Sequence, residues 1–216
     1  MHAMSTLANS RHLAERRTLP YPPDGLRPPP RRGGPLAPRR EAARGERLTA
    51  RDGTPLVLRT IRADDIEALK RFFHRLTPEE VRLRFLHPLN DLPDEFAHRL
   101  CELDPAIAVA WVLATPDDPD RPDLPVDIHA VARAHLDRVL EQAEFAIAVE
   151  GRYARQGFGM LLMQRVIGSA RQLGATELWG DILLENHTML DLCARLGFTR
   201  GMTPHNPGIV RASLLL

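Results

Sequence analysis

The sequence predicts an α/β fold of mixed α+β character: a twisted, partly parallel sheet of about six or seven strands with helices on both faces. Three observations carry this. Ala106 to Ala114 is an unbroken apolar run of nine residues between Asp104-Pro105 and Thr115-Pro116, as expected of a strand buried on both sides. Phe145, Ile147 and Val149 alternate with alanines, the period of a tightly packed strand. Beyond them the chain runs strand, helix, strand, helix, strand, an order that builds a mixed sheet with helices laid on it.

Each element has a local reason. Asp52-Gly53 between short strand-like runs predicts a hairpin turn, because glycine tolerates positive φ, and Leu56-Val57-Leu58 opens the first strand. Asp64 is the expected N-cap of a helix carrying Ile66, Leu69, Phe72 and Phe73 on one face. Thr77-Pro78-Glu79-Glu80 starts a second helix with a cap, a proline in the first turn and early acids. A third short helix spans Pro93 to Leu103, and the 106–114 strand takes a central place. Residues 116–127, with four prolines and five aspartates, form an exposed loop. Ile128 to Leu136 and Ala143 to Val149 are strands. Phe158, Leu162, Val166 and Ala170 share one face of a helix from about Gly157 to Leu173, which Gly174 ends. Leu178 to Leu184 is a strand, Asn186 to Leu196 a helix, and the last strands follow Phe198.

Composition divides the 216 residues in two. Residues 1–47 hold eight of the 19 prolines and ten arginines against four acids. So much fixed φ and charge leaves too little apolar surface to offset ordering entropy, so this stretch is expected to be a disordered tail. It lacks the apolar core of a cleavable signal peptide, and its prolines spoil a transit-type helix. Residues 48–216 carry 19 basic and 24 acidic residues and form the folded domain. Nucleic-acid binding is therefore expected only through the basic tail. No apolar run approaches the ~18 residues of a membrane span. Cys101 and Cys193 lie too far apart for a metal knuckle and do not make a disulfide framework, and the nine histidines show no ligand spacing. No metal is expected, and a cytoplasmic location is.

The chemistry-bearing stretch is Val149-Glu150-Gly151-Arg152-Tyr153-Ala154-Arg155-Gln156-Gly157-Phe158-Gly159. A strand runs into a glycine-containing loop and the loop into a helix N-terminus. That arrangement presents unpaired N–H groups and the positive end of a dipole, a site suited to pyrophosphate. No Gly-Lys-Ser/Thr follows, so it is not a Walker loop. Leu162 stands at the third glycine position of a dinucleotide fingerprint.

Taken with the block Asn186…Leu196-Gly197-Phe198 and the helix end Ala170-Arg171-Gln172-Leu173-Gly174, this loop resembles the GCN5-related N-acetyltransferase (GNAT) superfamily. Arg51-Asp52-Gly53, Leu58-Arg59, Leu76-Thr77-Pro78-Glu79, Arg82-Leu83-Arg84-Phe85 and Ala143-Glu144-Phe145-Ala146 resemble the acetyltransferase domain of bacterial Pat-type protein lysine acetyltransferases. The likeness covers about residues 48–216. It implies acetyl-CoA as co-substrate, with the strand ending Ile147-Ala148-Val149 bonding the pantetheine arm. The main-chain N–H groups of Ala154, Arg155, Gln156, Gly157, Phe158 and Gly159, with Met160 beside them, would face the pyrophosphate. The Met160, Met163 and Met189 side chains fall at helical core spacing. Asn186 stands where the family places a polar contact near the cofactor, and it also suits an N-cap. Ala154 departs from the Gln or Arg usual there, which implies weakened but not lost binding.

Acetyl transfer needs a neutral amine. A lysine-type amine with pKa ~10.4 is neutral in only about 4 of 10,000 molecules at pH 7, so a base helps. The resemblance assigns that role to Glu144; Asp181 and Glu185 are reserves. Many family members carry a Tyr as general acid where this chain has Cys193, whose thiol either donates a proton or packs in the core. The acceptor implied is a protein lysine. The alternatives are a small-molecule amine, or a non-catalytic acyl-CoA-binding regulatory module. Regulation would then rest with a partner or the cofactor level.

Overall fold

The computed structural model describes residues 45–118, 120, 125–203 and 206–216. Eight strands form one sheet: β1 (Glu46–Thr49), β2 (Pro55–Thr60), β3 (Ala108–Ala114), β4 (Ile128–Asp137), β5 (Gln142–Val149), β6 (Glu177–Leu183), β7 (Thr199–Met202) and β8 (Ile209–Leu215). Their order is β1-β2-β3-β4-β5-β6-β8-β7. Every pairing is antiparallel except β5 with β6. The eight strands exceed the six or seven expected by one or two. β8 returns between β6 and β7, a placement that local pattern does not encode. The two middle strands are β4 and β5, with β3 beside them.

Five helices flank the sheet: α1 (Ile66–Arg75), α2 (Pro78–Phe85), α3 (Asp94–Cys101), α4 (Phe158–Leu173) and α5 (His187–Arg195). Two apolar clusters show which face each covers. Leu69, Phe72 and Phe73 of α1, Val81 of α2 and Ala97 of α3 pack with Val112, Ala114 and Val131 of the sheet. Leu162, Val166 and Ala170 of α4 and Leu190 and Cys193 of α5 pack with Leu113, Ala132 and Phe145 on the other face. Val112 and Leu113 are consecutive and point to opposite clusters, as strand alternation requires.

The caps follow the sequence with one correction. Thr77 accepts from the Glu80 N–H at 3.2 Å while the Glu80 carboxylate accepts from the Thr77 N–H at 2.7 Å, a reciprocal capping box. Asp64 does not cap α1. It is exposed, and Asp65 holds the N-cap position after a short 3₁₀ turn, Ala63–Asp65. Asp65 is buried because Arg59 of β2 grips it bidentately at 2.6 and 2.7 Å. Its carboxylate also accepts from the Arg62 N–H at 2.7 Å.

Glu46 and Arg47, the last residues of the stretch expected to be a tail, pair with Leu58 and Val57 in the sheet. The remainder of that expectation, with its basic charge, lies outside the described residues, as does part of the 116–127 loop. Among the described residues no helix is long and apolar enough to cross a membrane.

Candidate active site

β5 pairs with β4 along its whole length, from Gln142 to Val149. With β6 it pairs only at Gln142, Ala143 and Glu144, opposite Glu177, Leu178 and Trp179. Beyond Glu144 the two strands part. The wedge is Phe145. Its ring lies over Gly180, where a Cβ would come within 2.7 Å of the ring, and it packs edge-on against Phe198 at 5.3 Å.

The opened edge of β5 has defined polarity. Glu150 donates its N–H to His129 O, toward β4. Strand alternation therefore turns the main-chain groups of Val149, Ile147 and Phe145 toward the side that β6 has left. Their side chains pack into the cluster under α4. This edge offers main-chain donors and acceptors to an extended ligand, and it includes Ile147 and Val149 from the sequence-predicted set.

At the end of β5 the chain turns through a 3₁₀ segment, Gly151–Tyr153, into the loop before α4. Ala154 donates its N–H to Gly151 O, so that amide serves the turn. Arg155 (φ +56°) and Gly157 (φ +92°) are both left-handed, and alternating handedness of this kind gathers successive N–H groups into an anion-binding concavity. The first helical hydrogen bond is Leu161 N–H to Gly157 O. The N–H groups of Phe158, Gly159 and Met160 therefore precede the α4 ladder and add the positive end of a 16-residue helix. Gln156 braces the loop from behind: its Oε1 accepts from Arg51 N–H at 2.9 Å and its Nε2 donates to Arg152 O at 2.8 Å.

Sequence reasoning missed what holds this loop's root. Glu150 is buried, accepting from His129 Nδ1 at 3.1 Å and pairing with Arg75 at 3.4 Å and Arg152 at 3.3 Å. His129 is also buried, its ring centroid 4.6 Å from that of Tyr153 and tilted to it by 44°. Burial lowers its imidazole pKa below the usual histidine value, against the pull of Glu150.

Glu144 stands at the fork, on the last residue pair before the strands part. Register places it beside His135 on β4 and Trp179 on β6. Burial pushes its carboxyl up to about 7; Arg84 opposes this, Asp181 adds to it and Arg211 opposes it. A carboxyl near neutrality is poised to take a proton.

The reserve acids are otherwise engaged. Asp181 is held bidentately by Arg211 at 2.9 and 3.0 Å, and Arg211 in turn covers the Trp179 ring at 3.9 Å. Glu185 pairs with Arg82 of α2. Asn186 accepts from the Met189 N–H at 3.1 Å and caps α5. Cys193 is fully buried in the apolar cluster, and burial pushes its thiol up to about 12. Met163 is buried in the same cluster, whereas Met160 and Met189 are only partly covered.

Residues 66–198 match the Acetyltransferase (GNAT) family. The chain belongs to that family. GNAT enzymes use acetyl-CoA as co-substrate. An acetyltransferase of Pseudomonas aeruginosa is 26% identical over 153 residues, covering 71% of this chain and 80% of that protein. The GNAT domain of Streptomyces lividans PAT superposes with a TM-score of 0.69 at 22% identity, covering 81% of this chain and 98% of that domain. The Salmonella typhimurium protein yncA, solved with its cofactor acetyl-CoA, superposes with a TM-score of 0.53 at 17% identity, over 74% of this chain and 94% of that one. These likenesses establish a shared GNAT fold.

Proposed function

We propose that this GNAT acetyltransferase moves an acetyl group from acetyl-CoA to the amine of a protein lysine, with Glu144 as general base. The observation that carries the reading is the place of Glu144: a carboxyl raised to about 7 where β5 and β6 separate. From Glu144 to Val149 is five strand residues, about 16 Å. An extended pantetheine arm lying along this edge spans that distance, with the pyrophosphate on the loop amides and the thioester near Glu144. The neutral amine attacks the thioester carbonyl. The new C–N bond forms as the C–S bond breaks, the amine proton passes to Glu144, and the thiolate takes a proton from solvent.

The main contributions are positioning of the two reactants and proton removal at the reacting nitrogen. The buried thiol of Cys193 does not suit the acid role, which is why solvent is assigned it. The resemblance to Pat-type enzymes supports a protein lysine as acceptor. Two free, buried cysteines suit a reducing compartment such as the cytoplasm.

The test is Glu144→Gln assayed by thiol release from acetyl-CoA, with acetyl-CoA affinity measured by calorimetry. Turnover is expected to fall about a hundredfold or more with affinity retained. Near-full turnover removes Glu144 from the mechanism. A comparison of acetyl-lysine across the proteome with and without the protein tests the acceptor.

A further inference from the structure

Over the face of the sheet that carries Glu144, one arginine of β4 and one of α2 come together. Arg133 lies opposite Ala146 on β5, two residues beyond Glu144, which makes it a diagonal cross-strand neighbour at about 7–8 Å. Arg84, from α2, comes close enough to Glu144 and to Arg133 for charge to act on both. The two guanidiniums line one cavity under α1 and α2, together with Phe73, Phe85, Val131 and Ala148. The rest of the cavity wall is apolar.

Neighbouring arginines have acids. Arg59 has Asp65, Arg75 has Asp127 and Glu150, Arg82 has Glu79 and Glu185, and Arg211 has Asp181. Among the described residues no carboxylate lies within ion-pair distance of Arg84 or Arg133. Arg84 rests at 4.8 Å over the Phe85 ring, and Arg133 donates to Leu100 O at 3.4 Å. Burial weakens the charged form of both; at Arg133 the charge of Arg84 adds to this, while at Arg84 the Glu144 carboxyl, too distant to pair, opposes it. Two like charges in an apolar wall are costly unless an anion joins them. A carboxylate held by both forks satisfies each donor set, since guanidinium geometry matches it.

We propose that Arg84 and Arg133 bind a carboxylate of the acceptor, so that the favoured substrate is an amine carrying a carboxylate close to its nucleophilic nitrogen. The proposal rests on the N-acetyltransferase reading and narrows its acceptor. A free amino acid and a protein lysine flanked by an acidic residue present the same chemistry. The spacing places the anion in the cavity while the amine reaches Glu144 at the fork. A bound carboxylate also offsets the pull of Arg84 on the Glu144 carboxyl, leaving the base more proton-hungry when the acceptor is present.

The test compares kcat/KM on the full chain, each value normalised to the neutral amine fraction. One arm sets alanine against alaninamide. The other sets a lysine peptide with a neighbouring Asp against its Asn counterpart. A preference of tenfold or more for the carboxylate is expected in one arm, and that arm identifies the source. Arg133→Met and Arg84→Met are expected to reduce the preference to within about twofold through KM, with Arg133→Lys retaining part of it. Thermal melting and acetyl-CoA calorimetry establish that each variant folds; should one fail to fold, the other carries the comparison.

No preference in either arm, or one that survives both substitutions, overturns the proposal while transfer itself upholds the enzyme reading. If no amine is acetylated at all, the enzyme reading fails. Calorimetry with N-acetylalanine against its amide, and with the two peptides, then decides the anion site. Tighter binding of a carboxylate form supports the site, and equal binding in both pairs sinks it.

Discussion

The Phe145 ring occupies the space above Gly180, so that a methyl group at that glycine would lie 2.7 Å from the ring. The two residues sit on β5 and β6 just past their last shared register pair, Glu144 with Trp179. A large ring on one strand is thus matched by no side chain on the other, and the strands part around it. Gly180→Ala is expected to cost about 1–3 kcal/mol by overpacking, read as a lower urea midpoint with unchanged slope. Adding Phe145→Leu to Gly180→Ala relieves the clash, so the double variant is expected to be more stable than the two single costs predict. Strict additivity would show that the ring does not form the wedge.

The raised carboxyl of Glu144 makes a kinetic prediction with a definite sign. Its base form appears as pH rises through about 7, while the acceptor amine also gains its neutral form up to its own pKa of ~10. The logarithm of kcat/KM is therefore expected to climb with slope two below pH 7 and slope one above it. In Glu144→Gln the slope is expected to be one throughout. A wild-type profile without the break would separate Glu144 from proton removal.

The same shift acts on stability. The folded state holds the Glu144 proton up to about pH 7, whereas an unfolded glutamate releases it near ~4.3. Between those values the native state binds more protons, so stability falls as pH rises. Glu144→Gln removes this loss. Its melting temperature is expected to exceed that of the wild type at pH 8, with the gain disappearing by pH 4.

Much of the fold was legible because its signals are local. Thr77 and Glu80 close a capping box within four residues, and Gly174 ends α4 with φ +87°. The glycine loop was likewise visible as a strand running into a helix start, whereas Glu144 was singled out through the family resemblance. What was not legible depends on distant partners. Asp64 and Asp65 are the same residue type side by side, and only Arg59, from β2, decides which one is buried. Arg84 and Arg133 are separated by 49 positions and share a cavity only after α2 docks on the sheet at β5. The place of β8 between β6 and β7 follows from long-range register.

The Asp64–Asp65 contrast is itself testable. Asp65 carries the bidentate Arg59 pair and the Arg62 N–H bond, and both ends of the pair are buried. Asp65→Ala strands a buried guanidinium, and a loss of about 3–5 kcal/mol is expected in chemical denaturation. Asp64→Ala, on the exposed side of the same turn, is expected to stay within about 0.5 kcal/mol. Equal costs would return the capping role to Asp64.

Cys193 supplies a last test, because its position is the one at which the family resemblance places a proton donor. The side chain is closed off by the α4–α5 cluster, and burial pushes the thiol up to about 12. Reactivity belongs to the thiolate and to exposed sulfur, so a native cysteine of this kind is inert. Cys101 is buried beneath the opposite face, with its thiol also pushed up to about 12. A disulfide exchange reagent is therefore expected to label both cysteines only as fast as the protein unfolds, with one rate for the pair. Cys193→Ala leaves a small void and is expected to lower the melting temperature modestly while kcat changes by less than about threefold. Fast labelling of one native thiol, or a collapse of kcat with folding intact, would bring Cys193 back as the donor to the leaving thiolate.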